Sequence, residues 1–165
     1  MMRRKIGYLI LVLGLTACTS KTVNKPVIEL APEQIVQTSY APAYEATQQT
    51  YQGRVNNKFY VDSFTHGVID WFNGKYKQPI AELKYQLYEQ GRGFDAYVYD
   101  YYSGMIFAAD LQANFQYLHC WQGVDIPSLQ QGIYDALRDL QAQRPTNNSD
   151  WIVQGSEKFA TQCRP

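Results

Sequence analysis

Tyr97, Tyr101, Gly104, Ala108, Leu111, Phe115 and Leu118 follow one another at alternating spacings of four and three without a break. That recurrence is one face of an α-helix, and a period held this long commits the chain to helical packing. Gly104 sits in the middle, where glycine is about 1 kcal/mol worse than alanine, so it calls for a use. Close approach of a neighbouring helix at the small pair Gly104 and Ala108 is one such use. A kink facing a ligand is the other.

Shorter helices flank this one. Phe59/Tyr60, Phe64, Val68 and Trp71/Phe72 recur at threes and fours, with Asn56 or Asn57 to cap and Gly74 to stop the helix. Pro79 opens a second, with Ile80, Leu83 and Leu87 on one face and Gly91 as its end. After the long helix, Asp125 caps and Pro127 enters the first turn of another carrying Leu129, Ile133, Leu137 and Leu140, which Pro145 ends. A last helix begins near Asn147 to Ser149 and sets Ile152, Phe159 and Cys163 on one side. Only Ala96 to Tyr102 alternates weakly in the manner of a strand. The expectation is an all-α bundle of about five helices spanning residues 54–165.

The N-terminus carries a different pattern. Arg3, Arg4 and Lys5 precede an apolar run from Ile6 to Leu15, too short to span a bilayer and suited to the core of an export signal. The run closes on Leu15-Thr16-Ala17-Cys18, which looks like a bacterial lipobox. Residues 1–17 are then a cleaved signal and Cys18 the lipidated first residue of the mature chain. The several acyl chains that a lipobox implies anchor stably where one would not. Thr19 stands where an aspartate would signal retention at the inner membrane, so the resemblance favours the outer membrane, facing the periplasm. From Thr19 to Gln52, Pro26, Pro32 and Pro42 lie scattered among Thr, Ser, Gln and Ala. Residues 18–53 therefore read as a flexible tether, which as a coil of about 34 residues spans roughly 30–35 Å. A fragment such as Ile28 to Val36 is apolar enough to dock on the domain.

Export changes both charge and cysteine chemistry. Losing Arg3, Arg4 and Lys5 from 15 basic residues leaves 12 against 15 acidic ones, a mature net charge near −3. With no basic run left, nucleic acid is excluded as a partner, and the membrane is reached through lipid. With Cys18 lipidated, Cys120 and Cys163 remain as an even pair in an oxidising compartment, where pairing is the rule. Closing that loop contributes roughly 4 kcal/mol by chain-entropy reasoning. The rival reading makes Cys120 a nucleophile served by His119, but helix neighbours point about 100° apart.

The segment Tyr101-Tyr102-Ser103-Gly104-Met105-Ile106-Phe107-Ala108-Ala109-Asp110, then Cys120 with Gly123-Val124, Leu129 through Leu140, Pro145 and a closing Cys163, follows a known layout. It resembles the Rap/Tai-type immunity proteins of type VI secretion over about residues 94–164. The resemblance implies a small exported helical protein that binds and blocks a peptidoglycan-cleaving toxin, such as an amidase, delivered by neighbouring cells.

Function then divides three ways. A binding module is the first reading, and the 14 tyrosines suit it because tyrosine is favoured at interfaces. Tyr97 and Tyr101 lie on the apolar face and are expected to pack. Tyr85, Tyr88, Tyr99 and Tyr102 fall off it and are the candidate contact residues, for a partner protein or for a second copy in a homodimer. The alternative is a general envelope structural or assembly lipoprotein with no toxin partner. The third, an enzyme, has only His66 and His119 to draw on. Asp62, His66 and Asp70 share a helix face, yet a metal would want further ligands from elsewhere. No catalytic residue, metal or cofactor is expected.

Overall fold

The computed structural model describes residues 25–90 and 93–163. The expected signal 1–17, the lipidated Cys18 and the helix-ending Gly91 lie outside the described residues. Among those described there are only helices: α1 (Gln37–Tyr51), α2 (Val61–Phe72), α3 (Ile80–Gln90), α4 (Ala96–Tyr117), α5 (Ile126–Gln141) and α6 (Asp150–Gln162), after a short 3-10 turn at Pro32–Gln34. The all-α expectation holds, with α2 to α6 near their expected places.

The exception is α1, which occupies the middle of the expected tether. Far from being flexible linker, residues 37–51 pack along α5 and α6. The reason is the kind of side chain it buries: Ser39, Tyr40, Ala41, Pro42, Ala43, Tyr44, Thr47 and Gln48. These are small or polar groups, and they bury because hydrogen bonds wait for them. Tyr40 Oη donates to Asp135 Oδ2 and Tyr44 Oη to Asp139 Oδ2, each at 2.7 Å, and Gln48 Nε2 donates to the Ala136 carbonyl at 3.1 Å. Upstream, the expected docking of the Ile28–Val36 fragment occurs. Leu30 N–H donates to Gln131 Oε1 at 2.9 Å, Val36 N–H donates to Ser128 Oγ at 2.8 Å, and Val27 and Ile28 rest on the core. The packed part of the chain therefore reaches back at least to Val27 and does not begin at residue 54.

The main core joins Phe64 and Val68 of α2, Phe107, Leu111 and Phe115 of α4, Leu129, Ile133 and Leu137 of α5, and Phe159 of α6. A smaller cluster joins Leu83 and Leu87 of α3 to Met105 and Ile106 of α4. Cys120, just past α4, is bonded to Cys163 at the end of α6 with their Cα atoms 4.4 Å apart. Two helix C-termini are thus stapled as expected, and Cys120 is removed from service as a nucleophile.

Helix ends depart from expectation in one place. Asp125 caps α5 by accepting the Ser128 N–H at 2.9 Å, as read from the sequence. Asn56 and Asn57 do not cap α2, because Asn56 Oδ1 takes the Lys58 N–H within its own turn. The Tyr60 N–H at the start of α2 instead reaches Asp100 Oδ2 of α4 at 2.7 Å.

Gly104 serves close helix approach. A Cβ on it would land on the Phe64 carbonyl oxygen of α2, and a Cβ on Gly67 would land on the Tyr101 carbonyl oxygen of α4. The antiparallel helices interlock through two glycines, each making room for the other's backbone. Gly104→Ala or Gly67→Ala must push the helices apart, so each is predicted to lose about 1–3 kcal/mol in urea unfolding. An unchanged midpoint for both would contradict the crossing.

Candidate functional site

The loop between α1 and α2 is held as firmly as a helix end. Arg54 N–H closes on the Tyr51 carbonyl at 2.9 Å, just after Gly53, whose φ of +76° reverses the chain. Gln141 Nε2 of α5 donates to the carbonyls of Asn56 at 3.2 Å and Phe59 at 2.8 Å. With Asp100 holding Tyr60, two helices clamp the loop from either side. Against it stands the start of α4, capped by Asp95, whose Oδ1 accepts the Tyr97 N–H at 2.8 Å. Between them lies a cleft of about 290 Å³ lined by Arg54, Asn56, Lys58, Phe59, Phe94, Ala96, Tyr99 and Asp100.

The four candidate tyrosines divide around this cleft. Tyr88 on α3 is 60% exposed and Tyr99 is 37% exposed. Burial raises the Tyr88 phenol above its ordinary range, with Tyr99 adding to the rise and Arg54 opposing it, so these three share one neighbourhood. The partly buried Tyr51 phenol is raised first by burial and then by Tyr88, again with Arg54 opposing. Tyr85 lies one turn earlier on the same exposed side of α3. Tyr102 is drawn inward, its ring edge-on to Phe94 at 5.8 Å and Tyr101 at 5.4 Å. Tyr97, expected to pack, is 49% exposed and leans on the exposed Tyr60 at 5.6 Å.

Arg54 and Lys58 escaped the sequence reading. Among the described residues neither has an ion-pair partner, whereas Lys75, Lys84 and Arg144 meet Asp70, Asp110 and Asp139 within 2.6–2.7 Å. A signal was present: no acidic residue falls between Glu45 and Asp62, so nothing near these two cations in sequence neutralises them.

The Asp62, His66, Asp70 face is differently engaged. Asp62 and His66 are exposed, and Asp70 is committed to Tyr101 Oη at 2.8 Å and to Lys75 Nζ at 2.7 Å. A second cleft of about 350 Å³ brings His66 beside Tyr97, Val98, Tyr101 and Tyr102. Among the described residues no group of three His, Cys, Asp or Glu side chains is placed to hold a metal ion. His119 is exposed on the left-handed turn that follows α4, at φ +58°.

Comparison with known proteins bears on the whole domain. A family described as "Uncharacterised lipoprotein" matches residues 33–165, a span that includes α1. A protein of Haemophilus influenzae (strain ATCC 51907 / DSM 11121 / KW20 / Rd) is 43% identical, with 98% of this chain and 97% of that one covered. The chain belongs to this lipoprotein family. A lipoprotein is associated with the cell envelope, and among the described residues no helix is long and apolar enough to cross a membrane. Neither comparison links the lipoprotein to the type VI immunity proteins, and no solved structure matches it.

Asp70 gives this region a pH signature. Burial raises its carboxyl, but the bonds from Lys75 and Tyr101 and the nearby His66 outweigh burial and leave it below its ordinary value. A depressed folded-state pKa means stability that is present above the unfolded value near 4 and lost as pH falls through the folded value. Asp70→Asn is predicted to lower the unfolding free energy at pH 7, measured in urea, by under about 1 kcal/mol, since Lys75 is exposed. Its deficit against the parent should close below about pH 4. A deficit independent of pH would refute the assignment.

Proposed function

We propose that this lipoprotein is anchored through lipid on Cys18 to the outer membrane, facing the periplasm, and acts by binding a protein without catalysis of its own. The observation that carries the reading is the exposed surface where Arg54 and Tyr99 line one cleft, beside a loop clamped by α4 and α5. Tyrosine and arginine on a rigid support are what protein interfaces favour, because they contribute contact area with little ordering to undergo.

The early start of the domain sharpens the setting. From Cys18 to the docked Val27 are nine residues, at most about 32 Å of chain. A domain on so short a lead meets its partner close to the membrane. The partner class favoured by the resemblance over residues 94–164 is a toxin that cleaves peptidoglycan, such as an amidase reaching the periplasm. The alternative partner is another component of the envelope.

Three outcomes follow. Cys18→Ser is expected to abolish palmitate labelling and membrane fractionation, and unchanged fractionation would remove the anchor. Co-expression with periplasm-directed peptidoglycan amidases should rescue growth, with a complex visible on size exclusion. Tyr99→Ala should weaken that complex by about 30-fold, the effect of truncating a residue worth about 2 kcal/mol, and His66→Ala should leave it intact. No rescue and no complex with any such enzyme would leave the envelope-assembly reading. A hydrolytic activity lost on His66→Ala would overturn the binding reading altogether.

A further inference from the structure

The cleft between the α1–α2 loop and the start of α4 carries two cations on its lining. Arg54 and Lys58, four residues apart on one loop, both stand on its rim without an ion-pair partner among the described residues. The mature chain is net negative by sequence, so this pair forms a local positive point on an acidic protein. One carboxylate, Asp100, lines the cleft. It is only 7% exposed, and its Oδ2 accepts the Tyr60 N–H at 2.7 Å, so it serves the loop. Phe94 and Tyr99 supply an aromatic wall. About 290 Å³ has room for one or two side chains and is at the small end for a drug-sized ligand.

We infer that this cleft receives an acidic segment of the partner protein, with its carboxylates on Arg54 and Lys58 and its apolar atoms against Phe94 and Tyr99. The inference rests on the protein-binding reading above and names the chemistry of the partner. The loop does not need to order itself on binding, because Gln141 and Asp100 already fix it. Rim cations of this kind govern the rate of encounter and the choice of partner more than the final affinity. The Phe94 and Tyr99 rings supply the apolar contact that holds the complex once formed.

The test uses the full lipidated chain in detergent and a short fluorescent peptide rich in glutamate that carries one tryptophan, beside its twin with glutamine at every glutamate. The acidic peptide is expected to bind, and the glutamine twin to bind at least about tenfold more weakly. Arg54→Gln and Lys58→Gln should each weaken the acidic peptide by about threefold to fivefold, and rising salt should erase the difference. Both positions lie on the rim and both variants should melt with the parent, which separates lost binding from lost fold. Equal binding of the two peptides, parent-like binding by both charge variants, or no binding of the acidic peptide would overturn the inference. If the acidic peptide fails while Tyr99→Ala still breaks a toxin complex, the protein-binding reading stands alone. If the peptide behaves as described and no amidase complex forms, the cleft stands and the partner is another acidic protein.

Discussion

The carbonyl oxygen of Tyr40 occupies the space that a side chain at residue 132 would need, and Gly132 leaves that space free. Gly155 does the same for α1 on α6, where any Cβ would press on Ala41 and Gln37. Much of the architecture follows from these two absences. With α1 seated, Ile152 of α6 and Ala136 of α5 are buried against Tyr40, Ala41 and Tyr44. The tyrosine hydroxyls then reach the aspartates of α5, and Asn147 N–H reaches Tyr44 Oη at 3.2 Å, tying down the chain that leads into α6. The same device operates between α2 and α4, so backbone approach through glycine organises both sides of the bundle. The disulfide closes the remaining end, beside the Phe115 and Phe159 rings at 4.6 Å.

Seating α1 also removes most of the expected tether from residues 18–53. Most of the 34-residue stretch expected as coil is packed instead, with Val27 and Ile28 on the core and α1 along α5 and α6. The loop that carries Arg54 and Lys58 follows α1 directly, so the packing that shortens the lead also positions the cations of the cleft.

The sequence was most legible where apolar side chains alone set the period. α4, α5 and α6 appeared with their buried faces, Asp125 was recognisable as a cap, and Cys120 paired with Cys163 by elimination. α1 was hidden because its inward face is written in Ser39, Ala43, Thr47 and Gln48, with Pro42 inside the helix, and such residues bury only when distant partners are in place. Gly104 announced a close crossing without naming its partner, and Gly67 was passed over because a glycine in an amphipathic helix looks incidental until its neighbour is known. The residue that starts α2, Tyr60, is held through its N–H by Asp100, forty residues on, and no local rule reaches that far. In the candidate site, the off-face positions of Tyr88 and Tyr99 were readable. Tyr97 and Tyr102 exchanged expected environments because Tyr60 and Phe94 arrived from other parts of the chain. The unpaired state of Arg54 and Lys58 is a property of the folded surface, hinted at only by the missing acids around them.

Native-state hydrogen exchange on the full chain tests the central claim most directly, because it reads whether residues 37–51 belong to the cooperative core. The backbone amides from Tyr44 to Gln48 are predicted to exchange only through global unfolding, at the same free energy as those of Ile133 and Leu137 in α5. Exchange of the α1 amides at the rate of an unstructured chain, with α5 still protected, would contradict the account and return the segment to the role of a tether.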